Sequence, residues 1–279
     1  MNLNSVCVLL GPYRNLTTLL SSMMFLHPNC QVLNHAGDRV YQPSVGEDVN
    51  FIDRYSEETL DNFVDYALRI SREPTSGWRG GSITVSHAFI FHPKMVKTYN
   101  NRYGSSLIKS DIRCLWWKES MKTTLKLMHD DFDFDLFLKK SDPRVKFLLP
   151  IRNPMDCAIS NSNNGQMWPM LSPSRSEQAI LNKIVEIIKW FTEWRTRYPD
   201  RFFYITEYDL ENMLSGTLFD VANFLKIDYV DEWVDDVRTV CELKTTYPHP
   251  DGLQKHYDLL LNTYFGNFAD FKHKLSLMR

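Results

Sequence analysis

The stretch Val6–Leu20 reads VCVLLGPYRNLTTLL. Val6, Val8, Leu9 and Leu10 make a short apolar run, Gly11-Pro12 breaks it, and from Thr17 onward Leu19, Leu20, Met23 and Met24 mark a helix. The pattern is strand, tight loop, helix. Such a junction aims unpaired backbone N–H groups and the positive end of a helix dipole at one point, so an anion binds there without a dedicated side chain. Arg14, Thr17 and Thr18 add a cation and two hydroxyls at the same point. Any α/β protein contains strand–loop–helix units, so the stretch needs a second half before it says more.

A chain of 279 residues is long enough to bury a substantial core. With 43% hydrophobic and 24% charged residues it reads as globular, and a net charge of −2 leaves no broadly basic face for nucleic acid or an anionic membrane. Any anion site is therefore local. No stretch approaches ~18 uninterrupted apolar residues, and MNLNSVCVLLGPYR lacks a basic leader, so a cytoplasmic protein is expected. Cys7, Cys30, Cys114, Cys157 and Cys241 are widely spaced and form no CxxC pair, which signals neither a disulfide framework nor a zinc site.

Beyond the first helix, His27-Pro28-Asn29 stops the chain, and Cys30–Leu33 is a short strand ending at Asn34-His35-Ala36-Gly37. Gly37–Asp53 is polar and turn-rich. Ser56–Arg72 reads as a capped helix whose Leu60, Phe63, Val64, Ala67, Leu68 and Ile70 share a face. Ser82–Ser86 alternates as a strand would, with His87 at its end, and His92-Pro93 opens a helix. Ile112–Trp117 is a buried strand running through Lys118-Glu119-Ser120 into a helix over Met121–Met128. Asp130, Asp131, Asp133 and Asp135 alternate with Phe132 and Phe134 but lack a calcium-loop pattern, so they read as a solvated loop with aromatic anchors, and no metal is expected. Val145–Ile151 is a strongly apolar strand, Ser176–Arg197 the longest helix, and Phe202–Thr206 the last clear strand. Helices are expected over Thr217–Ile227, Asp231–Leu243 and Leu253–Tyr264. Strands alternating with helices at this spacing predict an α/β fold, P-loop-like, with a mostly parallel sheet covered by helices on both faces in a single domain.

The second half of the motif is Arg152-Asn-Pro-Met-Asp-Cys-Ala-Ile-Ser160. Arg152 stands at a strand end and Ser160 about two turns into the next helix, so cation and hydroxyl can converge on a second phosphate. At this point the chain resembles the sulfotransferases that use PAPS, 3′-phosphoadenosine-5′-phosphosulfate, and is closest in motif spacing to tyrosylprotein-type and bacterial members. Their loop for the 5′-phosphosulfate, Pro-Arg/Lys-Ser-Gly-Thr-Thr, is matched by Pro12-Tyr-Arg14-Asn15-Leu16-Thr17-Thr18; their 3′-phosphate signature, Arg-Asp/Asn-Pro-x-Asp-x-x-x-Ser, is matched by Arg152–Ser160. His27-Pro28-Asn29 is similar to the family's His-Pro-Asp stop, Lys118-Glu119-Ser120 to its Lys-x-Pro or Lys-Thr-His element, and Glu207-Tyr208-Asp209-Leu210 to its Tyr-Glu-Asp-Leu. The resemblance covers roughly Val6–Ile227. It implies a nucleotide-binding core over about 5–227 and a C-terminal helical tail over about 228–279.

The resemblance implies roles. Arg14 takes the loop-cation position; Asn15, Leu16, Thr17 and Thr18 complete the cradle; Lys118 reaches the sulfuryl group; Arg152 and Ser160 hold the 3′-phosphate. Tyr208 is the adenine contact in swapped order with Glu207, and Lys255 stands in for an absent Arg-Lys-Gly element. Leu16 occupies the place of the family's loop Gly, where a positive φ would cost a non-glycine residue energy. His35 falls at the base position of tyrosylprotein-type enzymes, and its ordinary pKa suits deprotonating a hydroxyl. His87 and Glu119 are its rivals.

The expected activity is sulfuryl transfer from PAPS to a hydroxyl of a small-molecule or carbohydrate acceptor, without metal. A P-loop small-molecule kinase is the alternative, disfavoured because Gly-x4-Gly-Lys-Ser/Thr and a magnesium carboxylate are missing; a non-catalytic nucleotide binder is a third. The acceptor pocket is expected from Asn34–Asp53, Glu73–His92 and Gln166–Ser174, with Tyr41, Phe51, Tyr55, Trp78 and Trp168 as its aromatics.

Overall fold

Along the first strand, β1 (Ser5–Leu9), Val6 and Val8 face one apolar cluster while Cys7 and Leu9 face another. Successive side chains point to opposite faces, so a strand buried at every position and apolar from Val6 to Leu9 belongs in the middle of a sheet covered on both sides. The computed structural model describes residues 3–42, 48–73, 80–164, 175–243 and 247–278. In chain order its elements are β1, α1 (Thr17–Leu26), β2 (Cys30–Asn34), α2 (Gly37–Tyr41), α3 (Glu57–Ile70), β3 (Gly81–Ser82), α4 (His87–Ile90), α5 (Pro93–Tyr103), β4 (Cys114–Lys118) and α6 (Ser120–Leu127). They continue with α7 (Phe134–Lys140), β5 (Val145–Ile151), α8 (Pro154–Asn164), α9 (Glu177–Arg197), β6 (Phe202–Thr206), α10 (Glu207–Asn212), α11 (Leu214–Leu225), α12 (Asp231–Val240), α13 (Asp251–Tyr264) and α14 (Ala269–Ser276).

The strands form one sheet in the order β3-β2-β4-β1-β5-β6, parallel throughout except for β3, which pairs antiparallel with β2. One face is covered by α1, α4, α5, α11 and α12, around Phe25, Phe89, Tyr99, Leu218 and Trp233. The other is covered by α3 and α6 to α9 together with α13 and α14, around Phe63, Trp117, Phe134, Phe147, Ile184 and Tyr257. This is the P-loop-like α/β fold that the alternation of strands and helices predicts. From β1 the chain crosses β4 to reach β2 on one side, while β5 and β6 add on the other, so the crevice at the carboxyl end of β1 lies where the strand order reverses. Register aligns Leu9 with Lys118, Asn34 with Lys118, and Ile151 with Thr206. The residues that follow β1, β2, β4, β5 and β6 therefore all emerge along one edge.

Several local expectations change. Ser82–Ser86 is not a strand: pairing ends at Ser82, whose hydroxyl accepts the Thr84 N–H and turns Ile83–Val85 into a 3-10 turn. His87 consequently opens a short helix rather than closing a strand. The turn-rich Gly37–Asp53 contains α2, and α7, α10 and α14 are further helices that periodicity did not reveal. In the acidic run, Asp133 caps α7 by accepting from Leu136 N–H at 2.9 Å, and Asp135 binds Arg197 and Tyr198, so these carboxylates serve packing around stacked Phe134 and Phe137. Ser56 caps α3 and Ser176 caps α9, as their positions before apolar periodic runs suggest. All five cysteines are free, and four are buried. Among the described residues no helix is long and apolar enough to cross a membrane.

Candidate functional site

The loop from Gly11 to Leu16 leaves β1 and is clamped by three neighbours. Gly11 N–H donates to Thr124 Oγ1 of α6 at 2.8 Å. From α8, Asn161 Nδ2 and Cys157 Sγ both donate to the Tyr13 carbonyl, at 2.8 and 3.4 Å. Asn15 is buried, donates its side-chain amide to the Pro150 carbonyl and accepts the Arg152 N–H at 2.9 Å. Its side chain thus holds the loop on β5, leaving only its backbone amide for an anion. These clamps impose positive φ at Gly11 (119°), Arg14 (61°) and Leu16 (59°). A Cβ on Gly11 would stand 2.8 Å from Leu149 Cδ1, so only glycine fits. For Arg14 and Leu16 the left-handed conformation costs ~1–2 kcal/mol each. Strain of this kind persists only where surrounding bonds over-determine the backbone. Leu16 is the N-cap of α1 and supplies no side-chain cap, so the first amides of α1 face the loop with the helix dipole behind them. Thr17 is buried at the start of that turn and Thr18 half-buried.

The two sequence motifs meet directly. Arg14 Nε donates to Ser160 Oγ at 3.0 Å, and Ser160 is fully buried in α8. Arg152, at the end of β5, turns toward a different set of groups: Asp156 Oδ2 at 3.9 Å, Glu207 Oε1 at 3.8 Å, and the ring of Tyr247, whose centroid lies 5.7 Å from the guanidinium carbon. Glu207 also accepts the Asn153 N–H at 2.8 Å, which fixes the turn between β5 and α8. Burial raises the Glu207 pKa first, against the lowering effect of that N–H and of Arg152. Asp156 is buried, and its Oδ1 accepts from Tyr247 N–H at 3.0 Å and meets His249 Nε2 at 2.7 Å. The segment Tyr247–Pro250 is thereby strapped over the Arg152 turn. Tyr208 sits in α10 and packs half-buried against the larger core cluster. Lys255 lies exposed on α13.

At the ends of β2 and β4 a second group assembles. His35 and Ala36 both have positive φ, 60° and 85°. The backbone of His35 is bonded at both ends: its N–H donates to the Lys118 carbonyl at 2.9 Å, and its carbonyl accepts from Trp117 Nε1 at 2.7 Å. Lys118 Nζ lies 3.3 Å from His35 Nε2, and Glu119 Oε2 lies 3.8 Å from His35 Nδ1. Glu119 accepts the Gly37 N–H at 3.0 Å, and a Cβ on Gly37 would stand 2.7 Å from the Glu119 carboxyl carbon, so glycine makes room for that carboxylate. Burial lowers the Lys118 pKa to about 8, with Glu119 opposing. Desolvation likewise lowers His35, with Glu119 raising it and Lys118 and Lys122 lowering it. His87 opens α4 at the surface; partial desolvation, then Lys118 and Arg14, hold its pKa below the ordinary value. The three candidate bases thus lie with the cations Lys118 and Arg14 along one edge of the sheet.

Tyr247, His249 and the Asp156 carboxylate that ties them were not singled out from the sequence. The only available signal was the Asp of the Arg-Asn-Pro-x-Asp motif, whose partners lie 91 and 93 positions downstream. Of the acceptor-pocket expectations, Gln166–Ser174 with Trp168, and Trp78, lie outside the described residues. Phe51 and Tyr41 belong to the core, where Phe51 packs at 4.6 Å on Phe63 and Tyr41 O–H bonds Thr123 Oγ1 at 2.6 Å.

No protein-family model matches this sequence, and no curated protein does. Solved structures do. A sulfotransferase domain from the Synechococcus PCC 7002 olefin synthase is 17% identical, over 94% of this chain and 95% of that one, with a TM-score of 0.47. A sulfotransferase from Mycobacterium avium is 12% identical over 97% and 77%, with a TM-score of 0.48. A mouse sulfotransferase complexed with PAP is 11% identical over 99% and 89%, with a TM-score of 0.47.

Proposed function

We propose that this chain transfers a sulfuryl group from PAPS to a hydroxyl of a small-molecule or carbohydrate acceptor. The observation that carries the reading is the Arg14–Ser160 contact, because it joins two anion-type strand–helix junctions on adjacent strands. A donor with two separated anionic ends, a 5′-phosphosulfate and a 3′-phosphate, suits such a pair. In this reading the amides at Asn15 and Leu16, with Thr17, Thr18 and the Arg14 guanidinium, hold the phosphosulfate. Arg152 and Ser160 take the 3′-phosphate, and Tyr208 serves as the adenine contact. The core of about 5–227 binds the nucleotide, and the tail of about 228–279 contributes Tyr247, His249 and Lys255.

Sulfuryl transfer leaves little covalent chemistry to the protein, which positions the reactants and stabilises charge. The acceptor oxygen bonds to sulfur as the bond from sulfur to the phosphate oxygen breaks, releasing adenosine 3′,5′-bisphosphate. His35 Nε2 takes the acceptor's proton, and Lys118 and Arg14 neutralise charge on the sulfuryl group and the leaving phosphate. No metal is required for these steps.

Thermal unfolding with added nucleotide tests the reading. A native-state ligand at ~100 Kd adds ~2.7 kcal/mol, so adenosine 3′,5′-bisphosphate should raise Tm well above the effect of ATP with Mg²⁺. Preferential stabilisation by ATP and Mg²⁺ would instead establish the kinase alternative.

A further inference from the structure

His35 is engaged on both ring nitrogens. An ammonium has hydrogens to donate and no lone pair, so Lys118 Nζ at 3.3 Å donates to Nε2. The ring proton then resides on Nδ1, which faces the Glu119 carboxylate at 3.8 Å. Two neighbours therefore select one tautomer from opposite sides. The lone pair that would accept a proton from an acceptor hydroxyl is the one Lys118 occupies. Lys118 is 6% exposed and pairs in register with Leu9 of β1 and Asn34 of β2, so it ends a strand that lies between the one leading to the loop and the one leading to His35.

We propose that Lys118 gates His35: in the free protein its ammonium caps Nε2, and an anionic sulfuryl group seated in the loop draws it off, freeing the imidazole only when a donor is in place. The identity of that anion rests on the reading above; the cap itself does not. Glu119 is the positioning residue of the pair, because it keeps the ring proton on Nδ1 and makes Nε2 the nitrogen that is freed. The consequence is an order of events in which the donor binds before any acceptor hydroxyl is activated. The strained backbone at His35 and Ala36, bonded at both ends, holds the ring in place while the lysine moves.

The groups bearing on the imidazole are Lys118 and Glu119 at the β4–α6 junction, Lys122 on α6, which pairs with Asp38 of α2, and His87 on α4. Imidazole NMR titration of the full chain, with the His35 signal assigned by its loss in His35→Gln, reads the cap directly. The midpoint in wild type should lie below the ordinary histidine value. Lys118→Met should raise it by about one pH unit, since a cation within hydrogen-bond distance is removed, and Lys118→Arg should leave it nearly unchanged. Adding PAPS to wild type should raise the midpoint comparably, and adenosine 3′,5′-bisphosphate, which lacks the sulfuryl group, should raise it much less. An unmoved midpoint in Lys118→Met overturns the cap. If PAPS perturbs other resonances but not the His35 midpoint, the gate is overturned while the donor reading stands. If PAPS perturbs no resonance, the donor reading fails and the gate with it, and the lysine variants still report whether the cap exists.

Discussion

Arg14 Nε donates to Ser160 Oγ at 3.0 Å although 146 positions separate them in the chain. The bond closes a ring of constraints: Asn15 ties the loop to β5, Asn161 ties it to α8, and Ser160 ties the loop cation to α8. A cation held this way loses little freedom when an anion arrives, which is the physical content of a preorganised site.

Ser160→Ala should therefore weaken adenosine 3′,5′-bisphosphate by about 10- to 100-fold, since a hydrogen bond to a charged group is worth ~1.5–3 kcal/mol. Titration calorimetry measures it. The double variant Arg14→Ala/Ser160→Ala should lose less than the sum of the single losses, because the two side chains act together. Additive losses would show that their contact contributes nothing to binding.

Leu16 gives a test of loop strain. Glycine at φ 59° removes a penalty of ~1–2 kcal/mol, but it also gives the unfolded chain more freedom, worth ~0.4–1 kcal/mol, and deletes the packing of Leu16 against the α1-side cluster. Leu16→Gly should thus change stability by no more than about 1 kcal/mol. Leu16→Val places a β-branched residue in the left-handed region and should destabilise by more than about 1 kcal/mol. Urea unfolding distinguishes them; a Val variant as stable as wild type would mean that the loop does not keep this conformation in solution.

The strap predicts a separate loss. His249→Ala removes one of two bonds from residues 247–250 to the buried Asp156, so Tyr247 should no longer be held over Arg152. Affinity for adenosine 3′,5′-bisphosphate should fall several-fold, and Tyr247→Ala should reproduce the effect. Affinity for a nucleotide without a 3′-phosphate should change much less. Equal loss for both nucleotides would locate the strap's influence away from Arg152.

Legibility in the sequence followed the range of the physics involved. β1, β5 and β6 and the caps at Ser56 and Ser176 rest on local apolar runs and on residues one turn apart, and these were readable. Ser82–Ser86 alternated correctly but lies at the sheet edge, where a side-chain bond from Ser82 outcompetes further pairing. α2 and α10 are too short for periodicity to register. At the candidate site, spacing within each motif placed Arg14 and Arg152 near strand ends and Ser160 two turns into the following helix. It did not reveal that Ser160 meets Arg14, that Asn15 spends its side chain on β5, or that Tyr247 approaches Arg152. Those contacts depend on chain crossings that no local pattern encodes.

The pH dependence of turnover follows from the His35–Lys118 pair. In the proposed reaction His35 must be neutral to accept a proton, and Lys118 must be charged to stabilise the sulfuryl group. Desolvation holds the folded pKa of His35 below its ordinary value of 6.5, so the acid limb of kcat/KM should fall below pH 6.5, with activity lost as pH decreases through it. Burial lowers Lys118 to about 8, so the alkaline limb should appear near there, with activity lost as the ammonium deprotonates. Lys118→Arg should abolish that alkaline limb, because a guanidinium stays charged, even if the maximum rate falls. His35→Ala should lower kcat by ~10²–10⁴-fold with nucleotide affinity intact, and His35→Glu should move the acid limb toward the carboxylate range near ~4.3. If His35→Ala retains near-normal transfer while His87→Ala abolishes it with nucleotide binding intact, the base lies on α4 and the assignment to His35 is wrong.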